Sequence, residues 1–136
     1  MEKSIDRFEV GQKASSTKTV TESDVVSFAE ITGDRNPIHL DEEYAKNTMF
    51  KGRIAHGMLS AGYISAVLGN QLPGSGNIYM SQSLKFLAPV RFGDTITTTV
   101  EITEIIPEKS RIVLRTTCTN QDGILVVDGE ALAKML

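Results

Sequence analysis

Two residues with acid–base side chains stand close together in the segment Gly33–His39, which reads GDRNPIH. Asp34 and His39 lie five residues apart, on either side of an Asn36-Pro37 step. A turn at this step can point a carboxylate and an imidazole into the same space, where they would form a general acid–base pair. Asn36 could hold one of the two by a hydrogen bond. The same residue types also favour turns, so the alternative is that His39 only satisfies a loop hydrogen bond.

A second group, His56 and Gly57, stands at the beginning of a long apolar run. The first N–H groups of a helix have no partner within the helix and lie at the positive end of its dipole. Gly57 has no side chain to block access, so a ligand carbonyl could accept its N–H and be polarised there. The alternative is that Gly57 only permits tight packing and His56 caps the helix. Because His39 and His56 are the only histidines, any histidine-based mechanism uses one of them.

The first half of the chain has the pattern of helices and loops. Ser15–Val20 predicts a short strand, and Thr21 is placed to cap a helix that Gly33 ends. Asp41–Asn47 predicts a short polar helix. The run His56–Leu68 is apolar on nearly all sides, which predicts a long helix wrapped by other structure.

From Asn77 onward, apolar residues recur with the period of two that indicates β-strands. Turn-forming residues divide this half into four strands, and the N-terminal segment supplies a fifth. In the second and third of these runs, the residues predicted to share a face are Ile96, Thr98, Val100 and Ile102, then Ile112, Leu114, Thr116 and Cys118. We predict an antiparallel four-strand meander, extended by the further strand and wrapped around the long helix. This α+β arrangement, with about five strands and one central helix, is the hotdog fold.

The composition is that of one soluble globular domain. The 136 residues are 40% hydrophobic and 23% charged, without linker or repeat, so residues 1–136 are predicted to form a single domain. The net charge of -3 predicts no nucleic-acid or membrane partner. Cys118 is the only cysteine, which excludes an intrachain disulfide and a cysteine-rich metal site. Because no signal-type N-terminus or membrane-length apolar stretch is present, the predicted location is the cytoplasm.

Together, the two groups resemble the hydratase motif of the MaoC-like family. This motif joins a Gly-Asp-x-Asn-Pro-x-His loop, here Gly33–His39, at short range to a His-Gly-Met helix start, here His56–Met58. The similarity continues through Leu68-Gly69, Gln71–Gly74, Ile78–Phe86, Pro89-Val90 and Gly93-Asp94. The chain looks most like the small bacterial (R)-specific enoyl-CoA hydratases. It differs at Arg53, where the family often has proline, and we expect this difference to alter the loop or the pocket mouth without changing the chemistry.

The resemblance implies roles for particular side chains. Asp34 and His39 would hold and activate a water molecule, and the Gly57 N–H would bind a thioester carbonyl. The implied substrate-binding residues are Asn36, Ser65 and His56. Of these, Asn36 would also shape the loop, and Ser65 would support the catalytic hydrogen bonds.

The resemblance also implies a reaction and a quaternary structure. The reaction is the reversible syn addition of water to a trans-2-enoyl-CoA, which gives an (R)-3-hydroxyacyl-CoA. No metal or other cofactor is implied, and coenzyme A enters as part of the substrate. Similar hotdog proteins pair their sheets edge to edge, so we expect a homodimer or a dimer-based oligomer with the acyl pocket near the subunit interface.

Three other functions stay open. A 3-hydroxyacyl-acyl-carrier-protein dehydratase would run the same chemistry in reverse and need a basic patch for its acidic partner. Five basic residues could form that patch or bind the phosphates of coenzyme A, namely Lys46, Lys51, Arg53, Lys85 and Arg91. A hotdog thioesterase would direct water at the thioester carbonyl, but the loop Gly33–His39 resembles the hydratase motif instead. The third alternative is an acyl-CoA-binding module without activity, although the sequence has no added DNA-binding helices or basic arm.

Overall fold

A computed structural model describes residues 3–136 of the chain. It consists of one five-stranded antiparallel sheet, a long helix packed against the sheet, and shorter helices that precede the long one. The helices are α1 (Glu22–Thr32), α2 (Pro37–Leu40), α3 (Glu42–Ala45) and α4 (Gly57–Asn70), with 3-10 turns at Ser4–Arg7 and Pro107–Lys109. The strands are β1 (Lys13–Thr19), β2 (Asn77–Phe86), β3 (Thr95–Ile106), β4 (Arg111–Thr119) and β5 (Leu125–Met135). The predicted α+β hotdog architecture is confirmed.

Burial in the sheet follows the predicted alternation of side chains. The eight positions of β3 and β4 that were predicted to share a face are all buried: Ile96, Thr98, Val100, Ile102, Ile112, Leu114, Thr116 and Cys118. All of them except Thr98 and Thr116 belong to the hydrophobic core, which also includes Ile64, Val67 and Leu68 of α4 and residues of other elements. Each large aliphatic side chain in this core contributes roughly 1.5–3 kcal/mol by leaving water. The sheet and α4 are therefore held together by this core.

The order of the strands differs from the predicted meander. The sheet runs β1-β3-β4-β5-β2, so β2 pairs with β5 at one edge and β1 pairs with β3 at the other. The prediction that β2 and β3 are neighbours is wrong. The segment between them contains Pro89, and its Val90 carbonyl accepts the Ala55 N–H (2.8 Å) from the stretch before α4. The chain thus leaves the sheet after β2 instead of returning in a tight hairpin.

Helix α4 is buried along one face within the single chain. Its buried residues have the spacing of one helix face and are Ser60, Ile64, Val67 and Leu68. Its exposed residues are mostly small and include Gly62, Ser65, Ala66 and Gly69. The prediction that structure covers this helix on nearly all sides is wrong for the described chain, because one sheet covers only the side that faces it. Among the helices of residues 3–136, none is long and apolar enough to cross a lipid bilayer.

Local chemistry determines where α1 begins and ends. Thr21 and Asp24 form a capping box, in which each side chain accepts the backbone N–H of the other residue at 3.1 Å. Gly33 follows the helix with a φ of 81°, in the left-handed region that glycine adopts without strain. Both predicted boundary residues are confirmed. The turn at Gly33 leads directly into the segment that carries Asp34 and His39.

The two edges of the sheet differ in character. Strand β1 has the polar sequence KASSTKT and includes Lys13 and Lys18. Strand β2 instead leaves large apolar side chains between 38% and 54% exposed, namely Ile78, Tyr79, Met80 and Phe86. Lysines on an edge strand discourage pairing with another sheet, whereas an apolar edge favours it. The β2 edge is therefore the one suited to association.

Candidate active site

The segment between α1 and α2 is held in shape by its own short-range hydrogen bonds. The Asp34 N–H donates to Thr32 Oγ1 (3.1 Å), and the Asn36 N–H donates to the Asp34 carboxylate (3.3 Å). Asn36 then caps α2, because its Oδ1 accepts the Ile38 N–H (3.2 Å) and Pro37 occupies the first helical position. The helix cap agrees with the predicted role of Asn36 in shaping the loop.

His39 is held with one ring nitrogen engaged and the other free. The residue is 9% exposed, and its Nδ1 lies 2.7 Å from the Ile54 carbonyl oxygen. Because a carbonyl only accepts hydrogen bonds, we assign the ring proton to Nδ1. In the neutral ring, Nε2 then keeps a lone pair, and no residue among 3–136 bonds to it. This is the arrangement of a general base that a backbone carbonyl orients.

His56 contacts both acid–base residues, the ring of His39 and the backbone of Asp34. Its ring stacks on the ring of His39 with centroids 3.8 Å apart and planes 28° apart, and Phe28 packs nearby at 4.6 Å. His56 is 2% exposed, and its Nε2 donates to the backbone carbonyl of Asp34 at 3.0 Å. His56 occupies the N-cap position of α4 as the alternative expected, but its side chain makes no cap hydrogen bond to the helix. Its role in substrate binding stays a prediction.

The surroundings of His39 favour the neutral imidazole. Burial is the largest cause and lowers the pKa of His39 from its ordinary value of 6.5. The hydrogen bond to Ile54 raises this pKa, the nearby His56 lowers it, and the Asp34 carboxylate raises it. The net shift is downward. The imidazole is therefore in its proton-accepting form at neutral pH.

These polar groups line one cavity of about 450 Å³. Asp34, His39 and His56 lie there together with Gly57, whose N–H has no acceptor among residues 3–136. The apolar part of the lining includes Phe50, Ile54, Phe86, Leu87, Val126 and Val127. A cavity with mostly apolar walls and a few convergent polar groups suits a small ligand that has an apolar tail and a carbonyl.

Gly57 packs closely against the ring of Phe86. A Cβ atom on Gly57 would lie 2.6 Å from Cε1 of Phe86, which is well inside van der Waals contact. The missing side chain lets the aromatic ring from β2 cover the start of α4. Gly57 therefore permits tight packing, and because its N–H has no acceptor among residues 3–136, binding of a carbonyl by Gly57 stays a prediction.

Asp34, His39 and His56 form one candidate group of metal ligands within residues 3–136, with ligand atoms within 4.8 Å of one another. A zinc ion would lie about 2.1 Å from each imidazole nitrogen, along its in-plane lone pair. The two rings are stacked, so their lone pairs run side by side and do not converge on one point. His39 Nδ1 and His56 Nε2 are also engaged by backbone carbonyls. This geometry favours acid–base chemistry over a shared ion.

Comparison with known proteins identifies the family. The sequence profile of the MaoC like domain matches residues 6–123. The chain belongs to the MaoC-like family. It is 60% identical over 121 residues to the (R)-specific enoyl-CoA hydratase of Rhodospirillum rubrum, which covers 89% of this chain and 83% of that protein. It is 56% identical over 127 residues to the 3-hydroxybutyryl-CoA dehydratase of Methylorubrum extorquens, with 93% and 80% covered.

Solved structures agree with this MaoC-like assignment. The unliganded R-hydratase PhaJ1 of Pseudomonas aeruginosa superposes with a TM-score of 0.91 at 48% sequence identity. The match covers 96% of this chain and 84% of that one. The whole described architecture is thus shared with this hydratase.

Two predicted site residues of the MaoC-like chain lie outside the cavity lining. Asn36 is exposed and caps α2, and its role in substrate binding stays a prediction. Ser65 is on the exposed side of α4 and is not part of the cavity lining in the described chain, whereas the buried Ser60 is. Ser60 follows Gly57 by three residues and so lies on the same helix face, a spacing that could have identified it. The structure does not bring Ser65 together with Asp34 within one chain. Its supporting role stays a prediction.

We expect His39 to titrate below pH 6.5 in the folded protein, because burial lowers its pKa. When the pH falls, the unfolded chain then takes up this proton first. The stability that His39 contributes is therefore fully present above pH 6.5 and is lost as the pH falls through the folded-state pKa. NMR titration of the ring protons measures the midpoint, and His39→Gln identifies the signal. A midpoint at or above the ordinary value would contradict the expectation.

Proposed function

We propose that this MaoC-like protein is an (R)-specific enoyl-CoA hydratase. Water adds reversibly and syn across the C2–C3 double bond of a trans-2-enoyl-CoA, and the product is an (R)-3-hydroxyacyl-CoA. The main support is that Asp34, the free Nε2 of His39 and the available N–H of Gly57 share one apolar cavity. The relatives at 60% and 56% identity are an enoyl-CoA hydratase and a 3-hydroxybutyryl-CoA dehydratase, whose names describe the two directions of such a reaction.

We assign each group a task in this reaction. Asp34 and His39 hold a water molecule on one face of the double bond, so that its oxygen attacks C3. The unprotonated Nε2 of His39 accepts a proton from this water. The acid–base pair returns a proton to C2 from the same face, which makes the addition syn. The Gly57 N–H donates to the thioester carbonyl oxygen, where negative charge grows in the transition state.

The proposed chemistry needs no cofactor. Hydration neither oxidises nor reduces the substrate, so we propose that no metal, flavin or nicotinamide takes part. Coenzyme A enters as part of the substrate. The compartment that we propose is the cytoplasm, where the single buried thiol of Cys118 stays reduced.

The alternative of an acyl-carrier-protein dehydratase has less support from the relatives. Its acidic partner would need a basic docking patch, and two of the residues named for it are engaged within the chain, since Lys46 pairs with Glu43 at 2.7 Å and Arg53 pairs with Glu22 at 2.6 Å. Because the same residues could bind the phosphates of coenzyme A, these contacts do not separate the two substrates. The relatives at 60% and 56% identity are both named for coenzyme A thioesters. We therefore favour a coenzyme A thioester as the substrate.

The two remaining alternatives are a binding module and a thioesterase. A binding module has no need for a neutral His39 whose free nitrogen shares a cavity with a carboxylate, and such tuned groups are typical of catalysis. A thioesterase would release a free thiol. Turnover of the enoyl thioester therefore separates the hydratase from a binding module, and the absence of thiol release separates it from a thioesterase.

We propose that two chains pair through β2. This strand lies at the edge of the sheet with four exposed apolar side chains and one lysine, Lys85, whereas the opposite edge is polar and carries two lysines. Pairing of two β2 strands about a twofold axis would join the two sheets and cover the apolar edge. Phe86 ends β2 and Leu87 follows it, and both residues line the cavity. The proposed dimer would therefore bring the cavity to the subunit interface.

We expect Asp34→Asn to lower the rate of crotonyl-CoA hydration by about a hundredfold to ten-thousandfold, the usual effect of a positioned acid–base group. The amide oxygen of asparagine can still accept the Asn36 N–H, so the loop is retained. The measurement is the loss of absorbance of the conjugated enoyl thioester, with a thiol reagent to exclude thioester hydrolysis and chiral analysis of the product. The control is Asp41→Asn, which preserves the cap of α3. A rate for Asp34→Asn within about threefold of wild type would refute its role.

We expect Gly57→Ala to reduce hydration between about tenfold and a thousandfold, because the new methyl group displaces Phe86 or the N–H that binds the carbonyl. The matched control is Gly62→Ala on the same helix, where an added Cβ meets nothing within 4 Å. That variant should keep its activity and gain up to about 1 kcal/mol of stability. Steady-state kinetics and thermal unfolding of both variants test this expectation. Equal activities would count against the carbonyl site.

We expect the wild-type protein to have about twice the chain mass of 14.8 kDa in light scattering. Met80→Lys should shift the protein toward monomer, because it places a charge in the middle of the apolar β2 edge. Ser16→Lys makes the same change on β1 and should leave the dimer intact. A wild type that is only monomeric would overturn the dimer, and the hydration assay would still test the activity.

A further inference from the structure

The guanidinium of Arg53 contacts three separate parts of the chain. Its Nε–H donates to the backbone carbonyl of His39 at 2.8 Å, and its Nη1 lies 2.6 Å from the Glu22 carboxylate at the start of α1. The guanidinium carbon also lies 4.8 Å from the centre of the Phe92 ring. The side chain is only 14% exposed. The guanidinium of Arg53 is therefore engaged by other parts of the chain and is not a free cation at the surface.

The carbonyl of His39 is one that needs a donor from elsewhere. Helix α2 has only four residues, so its last carbonyls have no N–H further along the same helix. A basic side chain near the end of a helix can bond to these carbonyls. Arg53 does so at the residue whose ring carries the free Nε2.

Arg53 and Ile54 together hold His39 at two points. Arg53 binds the backbone of His39, and the Ile54 carbonyl accepts the ring Nδ1–H at 2.7 Å. The Ile54 N–H also donates to the Ile38 carbonyl at 3.2 Å. Since the tautomer of His39 depends on the position of the Ile54 carbonyl, a residue that fixes this stretch also fixes the free nitrogen.

We propose that Arg53 is a positioning residue for His39. Through Glu22 and Phe92 it anchors the stretch before α4 to α1 and to the segment between β2 and β3. Through its Nε–H it fixes the backbone of His39 against this anchor. Arg53 is not part of the cavity lining, so it acts through the residues that it holds and not by contact with the ligand. The proposal rests on the proposed hydratase function, in which His39 is the proton acceptor.

Four variants separate these contacts. Arg53→Met removes every donor at similar length, and Arg53→Lys keeps a charge but not the planar fork that binds two partners. Glu22→Gln leaves the guanidinium in place and removes the charge of its partner. The matched control is Arg115→Met, which removes another arginine–carboxylate contact, to Asp128, on β4 outside the cavity.

With crotonyl-CoA, we expect Arg53→Met to lower kcat by about tenfold to a hundredfold and to change KM by less than about twofold, because a misplacement of about 1 Å can cost this much. Arg53→Lys and Glu22→Gln should lose less, since each keeps a possible donor to the His39 carbonyl. Arg115→Met should behave as wild type. A folded Arg53→Met variant whose kcat stays within about twofold of wild type would overturn the proposal.

Nitrogen NMR tests the positioning without relying on activity. The chain has only two histidines, so the ring nitrogens of His39 can be assigned with one His56 variant. In wild type we expect a protonated Nδ1 and an unprotonated Nε2, and in Arg53→Met a mixture of both tautomers. Unchanged ring signals in Arg53→Met, or in Arg53→Lys if the first variant does not fold, would overturn the proposal. A wild type that hydrates no enoyl thioester refutes the hydratase function alone, since the tautomer still reports whether Arg53 positions His39.

Discussion

A buried pair of stacked imidazoles is the constraint on which the rest of the site depends. Polar nitrogens that leave water need partners, and here two backbone carbonyls provide them. The ring of His39 bonds to Ile54, and the ring of His56 bonds to Asp34, so each ring is bonded to a segment other than its own. Neither segment can move without breaking a buried bond. The Nδ1 of His56 has no partner in the described chain, which costs about 1–3 kcal/mol and is the kind of exception that functional sites retain.

The parts of the fold that local chemistry determines could be predicted from the sequence. Helix α1 begins after Thr21 and ends before Gly33, as expected. Every second residue faces the core as far as Ile102 in β3 and as far as Cys118 in β4. The place of β2 could not be predicted in this way. Alternation indicates which face of a sheet a residue takes, but it carries no information on which strand lies beside it. The single covered face of α4 was missed for a related reason, since apolar character on all sides does not say how many neighbours a helix has.

The candidate site likewise has a part that the local sequence predicts and a part that it does not. The residue types around the Asn36-Pro37 step indicated that Asp34 and His39 could share one space, and the cavity lining confirms that they do. The bonds of His56 and Arg53 reach 22 and 14 residues back along the chain. No local pattern encodes contacts of that span. A histidine before a helix was therefore interpreted as a cap or a ligand-binding residue, and Arg53 as a residue of the loop, of the pocket mouth or of a basic patch.

The unlike edges of the sheet bear on how far copies of this chain can associate. If the β2 strands of two copies pair, neither β2 edge remains free. The two ends of the joined sheet are then β1 strands, each with Lys13 and Lys18. These ends are polar, carry the charged Lys18 beside the Lys13–Glu101 ion pair, and offer no apolar surface for a third sheet. An open sheet with two receptive edges could grow into a fibre. In the proposed dimer only one edge of each sheet is receptive, so association would be self-limiting and the strand that starts assembly would also end it.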